Sequence, residues 1–213
     1  MNKGNHKIQT NRGMTYVELI VVLSIFSIMS SVVLFNYNEF QDRVDIKNLA
    51  NDIALKIVEA QRTASGGLIP IPLKDINDPS SWKPTFGVYF NTSSDANKKS
   101  FIYYTDLDGS SDYTGSSCPS TGSSYECISK IDITKGNFIS NISFFSSTDN
   151  TSTTVQDLSL KFTRPNSGAS IYSGGSDKTQ SPTNASYAEI IVSSTSDVTA
   201  SIKVYASGRI QVN

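Results

Sequence analysis

Histidine is almost missing from this chain. The one histidine among 213 residues is His6, and none follows it. Beyond that point a Ser-His-Asp or Cys-His mechanism is excluded, and no imidazole is available to complete a zinc site. Cysteine is nearly as scarce, with Cys118 and Cys127 alone in a Ser/Gly-rich segment. No cysteine lies near the N-terminus, which argues against a lipoprotein anchor. A cationic surplus is also lacking: 18 Lys and Arg face 19 Asp and Glu, a net charge of −1. Nucleic-acid binding rests on neutralising phosphates, so nucleic acid is not an expected partner. Apolar residues make up 38% of the chain and charged ones 17%, which predicts a modest core with long polar loops. Proline, finally, is absent from residues 14–65.

What is present begins with an apolar run, Met14 to Phe35, long enough for a helix to cross the roughly 30 Å hydrocarbon core of a bilayer. Lys3, Lys7 and Arg12 precede the run, and Glu39, Asp42, Arg43 and Asp45 follow it. The positive-inside rule then predicts a single pass with the N-terminus in the cytoplasm and the bulk of the chain outside. The run is longer than the 7–15 apolar residues of a secretory signal peptide, and no small-x-small cleavage site follows it. Glu18 stands inside it. An intramembrane acid is functional by default, and near the start of a helix the dipole favours it.

The stretch Arg12-Gly13-Met14-Thr15-Tyr16-Val17-Glu18 and the run behind it resemble the N-terminus of type IV pilins and type II secretion pseudopilins. The resemblance implies a leader of residues 1–13, removed by a prepilin peptidase that cuts after Gly13 and methylates Met14. It also implies that Glu18, five residues on, helps to dock each subunit against a neighbour's N-terminus. Cleavage would expose a cationic amine one helical turn from Glu18, able to neutralise it on the same or an adjacent subunit. Three of the 18 basic residues and none of the 19 acids lie in that leader, leaving a net −4 on the remainder.

Past the run the helix is predicted to continue. Phe40, Val44, Leu49, Ile53, Ile57, Ala60 and Ala64 recur close to one helical face, and Gly66-Gly67 marks a stop. The organisation expected is therefore a leader (1–13), a transmembrane or filament-core helix (14–35), an amphipathic continuation (36–65) and a globular head (66–213). The two helical parts together give about 50 residues, or about 75 Å. Pro70, Pro72 and Pro79 make 68–83 a connecting loop. Short β-branched and aromatic segments follow: Phe86–Phe90, Phe101–Thr105, Ile128–Ile133, Ile139–Phe145, Leu158–Thr163, Tyr187–Val192, Ala200–Tyr205 and Arg209–Val212. Ser146–Val155 and Asn166–Ser186 are Ser/Thr/Asn/Gly-rich and read as solvated loops. The fold class expected is α+β, a long N-terminal helix packed against a β-rich head. Glu59-Ala60-Gln61-Arg62-Thr63-Ala64, Leu158 to Pro165 and the ending Ser207-Gly208-Arg209-Ile210-Gln211-Val212 are similar to the GspH/FimT minor pseudopilins.

Two further sites are expected in the head. In an oxidising location Cys118 and Cys127 would form a disulfide that staples a loop. Asp106, Asp108 and Asp112 alternate around a Gly-permitted turn and could supply oxygen ligands to a Ca²⁺ cofactor. The function expected is structural: a minor pilin or pseudopilin of a type IV pilus or type II secretion filament, and not an enzyme. Its partners would be prepilin peptidase, other pilin or pseudopilin subunits, the inner-membrane assembly platform and membrane lipid. The alternative is a filament-tip binding module, an adhesin or DNA-uptake receptor.

Overall fold

A single helix opens the structure. The computed structural model describes residues 13–67, 85–106, 113, 118 and 126–213. Helix α1 runs Tyr16–Gly66, unbroken as the absence of proline predicts. Thr15 precedes it, and its Oγ1 accepts the Glu18 N–H at 3.3 Å. At the other end Gly67 takes φ +65°, and its N–H bonds the Ala64 carbonyl at 3.2 Å. A residue without Cβ adopts that left-handed stop at little cost.

Residues up to Gln41 form one unit and Asp42–Asn213 a second. In the first, α1 is long and apolar enough to cross a membrane. Its Val, Leu, Ile, Phe and Met side chains are exposed all round the helix between Val17 and Leu34. The Ser24 and Ser27 hydroxyls donate to the Val21 and Leu23 carbonyls, both at 2.8 Å, so neither is left without a partner in the apolar run.

The second unit holds the core. Ile46, Ala50, Ile53, Ala54, Ile57, Ala60 and Ala64 of α1 are buried, at the three-to-four spacing of one helical stripe. Four of these seven are alanine, which lets the helix backbone approach closely. The stripe differs from the predicted one at its start. Phe40 is 64% exposed and Val44 and Leu49 are only half-buried, while Ile46 and Ala50 are inside. Val44 and Ile46 lie about 200° apart around a helix, so one alone can face the core.

The strands are β1 (Thr85–Asn91), β2 (Ser100–Asp106), β3 (Cys127–Asp132), β4 (Phe138–Ser146), β5 (Thr151–Val155), β6 (Asp157–Thr163), β7 (Ser170–Ser173), β8 (Ser176–Asp177), β9 (Ala185–Ser193), β10 (Thr199–Tyr205) and β11 (Ile210–Val212). They form two antiparallel sheets, ordered β3-β2-β1-β6-β7-β8 and β11-β10-β9-β4-β5. Each predicted segment matches a strand, and three strands lie in the segments read as loops. One is β5, whose Thr/Ser residues at the end of the second sheet are mostly exposed and carry no apolar alternation. The others are β7, with Ile171 its one buried aliphatic side chain, and the two-residue β8.

Alternation supplies the inner faces. Phe86, Val88 and Phe90 of β1 pair with Thr105, Tyr103 and Phe101 of β2 and with Phe162, Leu160 and Leu158 of β6. Ala188, Ile190 and Val192 lie opposite Phe144, Ile142 and Ile139 in the other sheet. These rows and the helical stripe form one hydrophobic cluster, so the described architecture is α+β.

Candidate functional site

The sequence-predicted residues fall in separate places. Gly13, Met14 and Glu18 belong to the first unit, and all three are exposed. Thr15-Tyr16-Val17-Glu18 has the Thr-x-x-Glu spacing of a capping box, and the Thr15 Oγ1 bond to the Glu18 N–H is one of its two hydrogen bonds. Glu18 thus sits in the first turn, where the helix dipole favours a carboxylate. That local role is encoded in the sequence as Ser/Thr-x-x-Glu ahead of an apolar run.

Asp106 closes β2 on the outer face of the first sheet, opposite the face that carries Phe86 and Val88. Its carboxylate meets the Lys161 ammonium of β6 at 2.5 Å, and both side chains are more than nine-tenths buried. The two strands are not neighbours, because β1 lies between them. The register explains how they meet: Lys161 is opposite Gly87, which is opposite Tyr104, two residues before Asp106. Gly87 presents no side chain, and a Cβ there would collide with the Leu160 carbonyl and the Tyr104 ring, each at 2.7 Å. Tyr104 shares a hydrogen bond with Ser159, and the Lys161 Nζ stands 4.7 Å from the Tyr172 ring centroid. Tyr113 adds its ring to those of Tyr89 and Tyr104, with centroids at 5.3 and 5.4 Å. Burial, then the Glu126 charge, pushes the Tyr113 phenol up.

Asp108 and Asp112 lie outside the described residues. Among the described residues, no three His, Cys, Asp or Glu side chains converge as metal ligands. A cation at the predicted turn would compete with Lys161 for Asp106. Cys118 and Cys127 are joined in a disulfide with Cα atoms 5.5 Å apart. Cys127 pairs with Tyr104, so the bridge lies on the strand pair that ends at Asp106.

At the C-terminal turn, Gln61 of α1 donates to the Ser167 carbonyl at 2.8 Å and the Gly208 carbonyl at 3.2 Å. Gly208 has φ +87°, and a Cβ there would press on both the Ser167 carbonyl and the Gln61 amide. Arg209 lies over the Tyr205 ring at 3.8 Å. Phe145, Tyr187 and Tyr205 continue this row across β4, β9 and β10, with centroids 5.2 and 5.4 Å apart. A groove of about 400 Å³ lies between α1 and β3, lined by Leu49, Phe101, Ile131 and Ile133 and by the carboxylates of Asp45 and Asp52. Lys56 and Lys135 line it as well, and Lys135 pairs with Asp45 at 2.7 Å, so apolar and charged groups of both signs share the groove.

Comparison with family models, curated proteins and solved structures gives no match. The chain supplies an apolar helix with a capped, acid-bearing start, a β-rich head and a buried ion pair.

Proposed function

We propose that the protein is a structural subunit, a minor pilin or pseudopilin, of a type IV pilus or type II secretion filament. The observation that carries this reading is the helix start. A basic stretch ends at Gly13, and an apolar helix exposed on every side follows with Glu18 in its first turn. Apolar surface of that extent is a contact surface for lipid or for other apolar helices. The basic N-terminus holds the chain with that end in the cytoplasm and the head outside. Prepilin peptidase cuts between Gly13 and Met14, and the new Met14 amine is methylated. Glu18 then registers the subunit against a neighbouring amine, and the helix moves from lipid into the filament. Lipid and protein are equally apolar, so packing and the Glu18 charge decide assembly rather than hydrophobicity.

The test is the N-terminal peptide of the membrane-extracted protein, with and without the host's prepilin peptidase. A methylated start at Met14 that requires the peptidase is the expected outcome. A start at Met1 in both hosts, or a cut elsewhere, would sink the proposal. Glu18→Ala should be cleaved normally yet drop at least tenfold in sheared filaments, measured by immunoblot. Normal incorporation of that variant would remove the docking role from Glu18.

A further inference from the structure

We propose that Lys161 and Asp106 condense to an intramolecular amide, an isopeptide bond that ties β6 to β2 across β1. The inference is independent of the filament reading, because it rests on the head alone. Both side chains are more than nine-tenths buried, on an aromatic-rich sheet face, with Nζ and Oδ2 already in contact. Lys161 lies opposite Gly87 of β1, and Gly87 lies opposite Tyr104, two residues before Asp106, so the register brings the pair together across β1.

The step balances within the pair. The ammonium passes one proton to the carboxylate, giving an amine and a carboxylic acid. The nitrogen lone pair attacks the carboxyl carbon of Asp106 and forms the C–N bond. The C–OH bond then breaks, and the hydroxyl leaves with the second nitrogen proton as one water. No oxidant, reductant or further reactant is required. Two physical factors drive it. Held groups of this kind react with effective molarities of about 10⁵–10⁸ M. The product also replaces two buried charges, each carrying a desolvation penalty, with one neutral amide. The bond would join residues 55 positions apart and close a loop that holds β3, β4 and β5.

The experiment is intact mass spectrometry of the full chain, detergent-extracted, denatured and reduced so that the Cys118–Cys127 bridge adds no difference. The expected mass is one water below that of the sequence with the N-terminus found. Proteolysis should then release a branched pair of peptides, one containing Asp106 and the other Lys161. Lys161→Arg keeps the charge pair but should restore the full mass. In Asp106→Asn the loss should change from water to ammonia, the leaving group of a carboxamide. A wild-type chain at full mass, with Lys161 in a linear peptide, overturns the proposal and leaves an ordinary buried ion pair. A water loss that persists in Lys161→Arg also overturns it, since the dehydration would then lie elsewhere, as in a cyclised Asp108-Gly109.

Discussion

Tyr103 shows how one side chain ties the helix to a sheet. Its ring lies among the core residues, and its hydroxyl donates to Thr63 of α1 at 3.2 Å. Burial, and then the charge of Glu59, pushes its phenol above the ordinary value of 10.0. The folded state therefore holds the phenol proton more tightly than the unfolded state does. Below pH 10 both states are protonated and no linkage arises; above it the unfolded chain loses the proton first and stability falls. Urea midpoints measured from neutral pH to beyond pH 10 should decline on that limb, and Tyr103→Phe should flatten the decline. An unchanged slope in the variant would assign it to other groups. Glu18 has one role in the helix itself and a second in the proposed filament. The Thr15 cap and the helix dipole give it a place in any such helix, whereas docking needs a partner's amine. Assembly assays separate the two.

Elements are joined by a few side chains that sequence spacing does not bring together. Gln61 and Gly208 are 147 residues apart, yet one amide serves the carbonyls of both Ser167 and Gly208. Gln61→Ala should lower unfolding stability by about 1–2 kcal/mol, because two carbonyls lose a partner. Gly208→Ala should lower it by about 1–3 kcal/mol through a strained positive φ. It would also push the Ser167 carbonyl and Gln61 apart. Denaturant unfolding of the head measures both, and additive effects would show that the two residues are not one contact. The disulfide works at the same scale. Replacing Cys118 and Cys127 with serine should reduce stability by about 2–3 kcal/mol, the loop-closure value for so short a loop. Equal midpoints for the variant and the wild type would show that the bridge does not constrain the unfolded chain.

At the level of the whole molecule, burial separates the apolar start of α1 from the head. The buried hydrophobic residues between Ile46 and Val204 make one cluster, whereas the apolar side chains between Val17 and Leu34 are exposed. A chain beginning at Asp42 should therefore be soluble without detergent, monomeric by light scattering, and unfold in one cooperative transition. The full chain should need detergent or lipid. Aggregation or non-cooperative melting of the shortened chain would mean that residues before Asp42 contribute to the fold of the head.

Residues and short spacings determined much of this protein. The apolar run, the proline-free stretch to Ser65 and the Gly66-Gly67 stop specify α1, since helix formation depends on neighbours within about four positions. Eight strands were legible as short β-branched and aromatic segments, and in β4, β9 and β10 burial recurs largely at every second residue. The edge strand β5 was not, because an exposed Thr/Ser run has no such pattern and is a strand only by pairing with β4. The tertiary structure alone decided the strand order, with β6 beside β1 and β9 between β10 and β4. It alone set Ile46 rather than Val44 against the core. It also drew Asp106, read from sequence as a cation ligand, to Lys161, a partner 55 residues away. Such pairings depend on which strands share a sheet, and no local preference encodes that.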